Sequence, residues 1–217
     1  MSIRPAPIDP PQIHYRLWDG FEGKEGWDIG SNVGQSLQEM TSRFTHVTAF
    51  EPAQECLEFL EPWADRVTIK PIAVSNFDGT IQLAALPDKI DTGQLVTPGT
   101  HGMEWSVDWT KEHPAEIVRD VPALRVDTLV EQIPPPDFWK IDVEGHEMHV
   151  LAGAEQTIVD YMPNMLIEFH NPELYDDCRE CLRQHGYTDI ETVRHPHYAY
   201  NSEMWHTHGW LRVFAPK

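Results

Sequence analysis

The chain has 217 residues, 41% of them hydrophobic, which suits one folded domain with a sizeable core. Sixteen Lys and Arg against thirty-five Asp and Glu give a formal net charge of −19, which disfavours nucleic acid and anionic membranes as partners. No apolar run reaches the ~18 residues that span a bilayer, and the N-terminus lacks a signal-peptide core. Three cysteines are too few for a disulfide framework, so we expect a cytoplasmic protein.

Strand-like and helix-like segments alternate along the chain. The strands predicted from apolar patterning are, in chain order, 27–29, 46–50, 67–75, 80–86, 138–143, 164–169, 189–193 and 210–215. Helical patterns follow four of them, beginning near residues 35, 52, 147 and 172, and Asn171 is placed to cap the last. This order predicts an α/β fold with a mostly parallel sheet covered by helices on both faces.

Three parts of the chain lack this periodicity. Residues 1–25 are proline-containing and are predicted to be a loosely ordered leader before one domain spanning 26–217. Residues 87–119 and 194–209 carry tryptophans, histidines and glycines, and their aromatic content favours substrate loops over disorder. The spacing Cys178-x-x-Cys181 has no second pair to complete a zinc site, so these cysteines are interpreted as small apolar residues on a helix.

The glycine-containing stretch GWDIGSNVGQSL, residues 26–37, lies between the first strand and its helix. Such a turn lets the backbone approach a nucleotide-like cofactor at the carboxyl edge of a sheet. The spacing Asp28-x-Gly30-x-Asn32-x-Gly34 departs from the G-x-G-x-x-G of NAD sites, and a carboxylate at the mouth would repel a diphosphate. An aspartate suits the cationic amino group of S-adenosylmethionine instead, with Ser31 as a further candidate contact. The alternative is that Asp28 belongs to a purely structural turn.

A second acidic residue, Glu51 in AFEP, ends the second predicted strand. An acid at this position in dinucleotide folds hydrogen-bonds the ribose hydroxyls. Glu51 before Pro52 is also compatible with a charge that merely favours a helix start. Together with the glycine loop, in this order and spacing, it favours a nucleoside-bearing cofactor. The loop after the third strand, with Ala73 and Ser75, would then border the adenine.

Six segments together resemble the FkbM family of S-adenosylmethionine-dependent methyltransferases: WDIGSNVG, AFEP, PIAVSNFDG, RVDTL (125–129), FWKIDVEGHEMHVLAGA (138–154) and LIEFH (166–170). The resemblance implies a Rossmann-like class I methyltransferase with a mostly parallel seven-stranded sheet, in which a last strand inserts antiparallel. It also implies O-methylation of hydroxyls on sugars or natural products. By position, the cofactor motif corresponds to Asp28, Gly30, Asn32, Gly34 and Glu51. The motif at the end of the predicted strand 138–143 corresponds to Asp142 and Glu144.

A hydroxyl acceptor must lose its proton, so a general base or a bound metal has to assist methyl transfer. The candidate residues follow adjacent predicted strands and are Asp142, Glu144, Glu147, Glu168 and His170. His170 is the first choice of base because its ordinary pKa of ~6.5 lies closest to working pH. Asp142, Glu168 and His170 are also candidate ligands for Mg or a similar ion. Alternatively, Asp142 contacts the cofactor or caps a helix, and Glu147 is a first-turn charge.

The sequence thus predicts a methyltransferase that uses S-adenosylmethionine on a hydroxyl of a sugar or a small glycosylated substrate. Asp142, Glu144 and His170 are its candidate catalytic residues. Two alternatives stay open. An NAD-linked oxidoreductase is disfavoured by Asp28 and by the missing G-x-G-x-x-G, and a non-catalytic cofactor-binding protein would keep the same fold without turnover.

Overall fold

The computed structural model describes residues 17–86, 89–96, 117–194 and 209–216. Its strands are β1 (Gly23–Ile29), β2 (Phe44–Phe50), β3 (Val67–Lys70), β4 (Ala73–Val74), β5 (Gly79–Leu86), β6 (Lys89–Val96), β7 (Ile117–Leu124), β8 (Phe138–Ile141), β9 (Asn164–Phe169), β10 (Asp189–Arg194) and β11 (Gly209–Phe214). Its helices are α1 (Leu37–Arg43), α2 (Gln54–Leu60), α3 (Val126–Leu129), α4 (Glu147–Ala152), α5 (Glu155–Tyr161) and α6 (Pro172–Gln184), with a 3-10 turn at Glu61–Trp63.

Seven strands form the main sheet in the order β10-β11-β9-β8-β1-β2-β3. Strand β11 pairs antiparallel with both β9 and β10, whereas the pairs among β9, β8, β1, β2 and β3 are parallel. The predicted fold class, a mostly parallel seven-stranded sheet with an inserted antiparallel strand, is confirmed. In a parallel sheet the carboxyl ends of neighbouring strands lie at one edge. The residues that follow β1, β2, β8 and β9 are therefore brought together.

Apolar clusters cover both faces of this sheet, because successive side chains of a strand point to opposite sides. On β8, Phe138 packs in a cluster that includes residues of α1, while its neighbour Trp139 packs in a cluster that includes residues of α4, α5 and α6. Both aromatic side chains are fully buried. The expected helices on both faces are confirmed by these two clusters.

A second sheet, with the order β4-β7-β5-β6, was not predicted. The stretch 87–119 was expected to be irregular, but it contains β6 and the first residues of β7. The single strand predicted at 67–75 is divided between the two sheets, on either side of Pro71, as β3 and β4. Long-range pairing with β5 stabilises β7 in spite of Pro122, and local sequence carries no signal of that pairing. The remaining parts of the predicted substrate loops, 87–88, 97–116 and 195–208, lie outside the described residues.

The predicted leader ends earlier than expected. Leu17, Trp18 and Phe21 are buried in the core, and β1 already begins at Gly23. The ring of Phe21 lies 4.7 Å from that of Phe138, between ring centroids. Residues 17–25 thus belong to the domain, because three large apolar side chains bury their surface against the sheet. Residues 1–16 lie outside the described part of the chain.

The last helix has the features expected for it. Asn171 caps α6, since its side-chain oxygen accepts a hydrogen bond from the N–H of Leu174 at 2.8 Å. Cys178 is buried on this helix and Cys181 is half-buried, as helical spacing predicted. In the described segments, every helix is too short or too polar to cross a bilayer.

Candidate active site

The loop after β1 makes a tight turn at the carboxyl edge of the main sheet. Gly30, Asn32 and Gly34 have positive φ angles of 81°, 49° and 84°. Asn32 takes the left-handed conformation expected for it, which asparagine tolerates better than most residues. A close contact also requires glycine at position 30, because a Cβ built there would lie 1.9 Å from the carbonyl oxygen of Asp142. The backbones that follow β1 and β8 therefore touch at this point.

Replacing Gly30 by alanine is expected to destabilise the protein more than replacing Gly145. Both residues have positive φ, which by itself costs ~1–2 kcal/mol with a side chain, but no heavy atom lies within 4 Å of a Cβ at Gly145. The clash at Gly30 should add ~1–3 kcal/mol. Urea unfolding of Gly30→Ala and Gly145→Ala measures the difference. Equal losses of unfolding free energy in the two variants would show that the backbone shifts away from Asp142 at no cost in stability.

Glu51 is held at the end of β2 by backbone hydrogen bonds. Its two carboxylate oxygens accept the N–H groups of Asn32 and Ala53, each at 2.7 Å. Burial raises the pKa of Glu51, and the two N–H groups partly offset that effect. Its side chain lines a cleft that is also bordered by Gly30, Ala73, Asp142 and Glu144. The carboxylate is thereby fixed in one orientation beside the glycine loop.

Asp28 is more deeply buried than expected for a residue that contacts the amino group of a cofactor. It is fully buried, and it sits opposite Lys140 in the register of β1 and β8. The Lys140 ammonium lies 3.3 Å from Asp28 Oδ1 and 3.2 Å from Asp142 Oδ2, and it donates a hydrogen bond to the carbonyl of Gly30 at 2.9 Å. Burial raises the pKa of Asp28, and Lys140 counteracts part of this. The cation that the structure places at Asp28 is therefore Lys140.

Lys140 is the site residue that the sequence analysis missed. Burial alone would lower its pKa, but the carboxylates of Asp142 and Asp28 raise the pKa above its ordinary value. The signal was present in the sequence as a lysine inside the apolar strand Phe138-Trp139-Lys140-Ile141. A lysine on a buried strand needs charged partners, since an unpaired ammonium is very costly to desolvate.

Beyond Lys140, four carboxylates and one imidazole form a cluster. This acidic cluster consists of Asp142, Glu144, Glu147, Glu168 and His170. His170 Nε2 lies 3.4 Å from Asp142 Oδ1 and 3.6 Å from Glu147 Oε1, while its Nδ1 lies 4.0 Å from Glu144 Oε2. Glu168 accepts a hydrogen bond from the indole N–H of Trp210 at 3.1 Å. The structure thus brings together all five residues predicted to lie near the reaction centre.

Electrostatics in the acidic cluster oppose the expected role of His170 as a base. Burial opposes its charge, but the contacts with Asp142, Glu147 and Glu144 raise the pKa of His170 to about 10. The imidazole therefore carries a proton near neutral pH, so its ordinary pKa does not describe it here. Burial raises the pKa of Glu144 to about 7 and that of Glu168 to about 8, partly offset by His170. Burial also disfavours the charge on Asp142, yet Lys140 and His170 hold its pKa well below the usual range.

The other predicted cofactor residues divide into two groups. Ala73 borders the cleft, as expected. Ser75 is fully buried, and its hydroxyl lies 2.9 Å from Nε2 of the buried His146, so it is engaged away from the cleft. Ser31 donates its hydroxyl hydrogen to the carbonyl of Asp28 at 2.9 Å. Ser31 and Gly34 shape the turn through the backbone, Gly34 donating its N–H to the Ser31 carbonyl at 2.8 Å.

Comparison with known proteins gives one characterised relative by sequence. The chain is 28% identical over 164 residues to the hexuronic acid methyltransferase AglP of Haloferax volcanii. The match covers 73% of this chain and 61% of that protein, so the chain spans about three fifths of the length of this relative.

Solved structures that share the fold include two methyltransferases. The methyltransferase FkbM from Methylobacillus flagellatus KT has a TM-score of 0.58 at 17% identity, over 88% of this chain and 44% of that one. An rRNA methylase from Streptococcus thermophilus has a TM-score of 0.50 at 10% identity, over 97% of this chain and 99% of that one. At these identities the likeness concerns the fold alone.

The family model of the methyltransferase FkbM domain matches residues 28–188. The match includes the glycine loop after β1, the acid after β2 and the whole acidic cluster. It extends over more than half of the chain, and it agrees with the resemblance seen in the sequence motifs. The chain therefore belongs to the methyltransferase FkbM domain family.

Proposed function

We propose that the protein transfers a methyl group from S-adenosylmethionine to a hydroxyl of a sugar. One observation carries the proposal. A single cleft is lined by Glu51, an oriented acceptor for ribose hydroxyls, and by Asp142 and Glu144 of the acidic cluster. A cofactor that joins a nucleoside to a cation would match both ends of such a cleft.

We propose a specific direction for S-adenosylmethionine in the cleft. Each Glu51 oxygen accepts one backbone N–H and keeps lone pairs for the ribose hydroxyls. Ala73 would lie beside the adenine. The methionine end, with its sulfonium and amino group, would point to Gly30 and to the carboxylates of Asp142 and Glu144. Asp28, being fully buried and paired with Lys140, would act through that pair and not by direct contact.

In this reaction an oxygen lone pair of the acceptor attacks the methyl carbon while the carbon–sulfur bond breaks. The bonding electrons remain on sulfur, giving the neutral thioether S-adenosylhomocysteine, and the hydroxyl proton leaves the oxygen for a group of the acidic cluster. Asp142, Glu144 and His170 are the residues that we propose act on the hydroxyl. Holding acceptor and donor in line supplies much of the acceleration.

The named activity of the AglP relative guides the choice of acceptor. That protein is described as a hexuronic acid methyltransferase, and we propose a sugar of this class, free or within a glycan, as the first substrates to test. Incubation with S-adenosylmethionine labelled in the methyl group, and with uronic acid and neutral sugar acceptors, tests the proposal. Label in a base-stable ether product supports methylation of a hydroxyl, whereas a base-labile ester would mean that the carboxylate accepts the methyl group.

Calorimetry should detect binding of S-adenosylmethionine or S-adenosylhomocysteine to the protein, and no binding of NAD. Glu51→Ala is expected to weaken this binding by ~1–3 kcal/mol, or roughly 5–150-fold, because buried hydrogen bonds to the cofactor are lost. Glu39→Gln, at a partly exposed residue of α1 that does not line the cleft, is the matched control. Tight NAD binding would overturn the assignment in favour of the oxidoreductase. Cofactor binding with no turnover on any hydroxyl would favour a binding protein.

A further inference from the structure

We infer that Asp142, Glu144 and His170 form a binding site for a divalent cation at the acceptor end of the cleft. The inference deepens the proposed function. Binding of the cation does not depend on that function, whereas a role of the cation in methyl transfer rests on it. Each of these side chains offers one ligand atom, and the three atoms lie within 4.8 Å of one another. Metal–oxygen distances of ~2.0–2.6 Å place ligands on opposite sides of an ion ~4–5 Å apart. A cation therefore fits among these atoms with small adjustments.

A fourth side chain, that of Glu147, packs next to the three proposed ligands. Glu147 is fully buried, and its Oε1 accepts the N–H groups of Val143 and Gly145, each at 3.2 Å. Its Oε2 has no hydrogen-bond partner among the described residues. The carboxylate faces His170 at 3.6 Å. A buried carboxylate oxygen without a donor is costly, and a nearby positive ion would compensate its charge.

Carboxylate groups converge on one side of the imidazole. Three carboxylates lie within 4.0 Å of the ring nitrogens of His170. Lys140 approaches Asp142 through Oδ2 and leaves Oδ1 toward His170. A divalent cation bound on this side would supply positive charge to the carboxylate oxygens that Lys140 does not contact. It would also reduce the repulsion between the acidic cluster and an anionic sugar.

The ligand set differs from the one predicted from sequence, which contained Glu168. In the structure, Glu168 Oε2 accepts a hydrogen bond from Trp210, and the residue is not part of the group of converging ligand atoms. Glu144, three residues after the end of β8 and with a positive φ of 54°, takes its place. Oxygen ligands with one imidazole suit Mg²⁺ or Mn²⁺. Mn²⁺ is the more useful probe, since it is paramagnetic.

The test is a titration of the full chain with MnCl₂ alone, without cofactor, in which electron paramagnetic resonance measures free Mn²⁺. We expect saturable binding, competed by excess MgCl₂. Asp142→Asn and His170→Ala should each weaken it at least ~10-fold, as loss of even supporting groups does at metal sites. Glu144→Gln should weaken binding more than Glu168→Gln. Glu39→Gln removes a partly exposed charge from α1, outside the acidic cluster, and should leave the affinity unchanged.

Two further measurements keep the outcome decisive. Circular dichroism shows whether each variant is folded, and Mn²⁺-induced broadening of the His170 imidazole signals in the unmodified protein needs no variant at all. Absence of saturable binding, or a loss with Glu168→Gln that exceeds the loss with Glu144→Gln, overturns the ligand set. Equal losses with Glu39→Gln and Asp142→Asn would mean diffuse attraction to an acidic surface. Mn²⁺ binding without S-adenosylmethionine binding would support the cation site and contradict the proposed function.

Discussion

His170→Ala is expected to lower kcat by ~10²–10⁴ and to leave the affinity for S-adenosylmethionine within about threefold of the unmodified protein. The reason is the position of His170 among Asp142, Glu144 and Glu147, away from the Glu51 end of the cleft. The loss follows whether the imidazole moves a proton or binds a cation. Methyl transfer is measured with labelled cofactor, and affinity by calorimetry on the same samples.

The matched control for this variant is His46→Ala. His46 is an exposed histidine on β2 that pairs with Glu25, and its loss should leave both the rate and the affinity unchanged. A His170→Ala protein with full activity would remove His170 from the proposed catalytic residues. A large loss of cofactor affinity would instead place His170 at the cofactor. Activity that EDTA abolishes and Mg²⁺ restores would connect the rate to the cation site.

Lys140→Met is expected to destabilise the fold by ~3–5 kcal/mol, because removing one partner of a buried ion pair leaves uncompensated charge. Asp28 is fully buried, and Lys140 is the cation next to it, at 3.3 Å. The ammonium also joins β1 to β8 through Asp28, Asp142 and the carbonyl of Gly30. Methionine keeps most of the side-chain volume, so the loss measures charge and hydrogen bonding. Urea unfolding at neutral pH gives the free energy.

A double variant separates the charge from other effects. Lys140→Met combined with Asp28→Asn should recover ~0.5–3 kcal/mol relative to the sum of the single losses, since the amide does not require a cation. Glu39→Gln, which removes the partner of Arg43 in a partly exposed ion pair on α1, is the control and should change stability by less than ~1 kcal/mol. A Lys140→Met protein as stable as the unmodified chain would show that Asp28 is neutral in the fold.

The geometry of the glycine loop and of Glu51 was predictable from sequence because these residues are close together along the chain. Gly30, Asn32 and Gly34 form one turn, and the requirement for positive φ explains their identity. Glu51 ends the next strand, so its place follows once the sheet is parallel. The convergence of Asp142 and His170 followed from the same rule. These inferences depend on local patterning and on one general property of parallel sheets.

By itself, the sequence determined the alternation of strands and helices, the family and the edge of the sheet where the site lies. Only the tertiary structure placed Lys140 against Asp28, since this contact depends on the register between β1 and β8. It also brought ligand atoms of Glu144, Asp142 and His170 within 4.8 Å of one another, and it paired β7 with β5. Pairing register, burial and the pKa shift of His170 arise from contacts between residues distant in sequence. A local sequence pattern does not contain the energies of these contacts, which form only when the chain is folded.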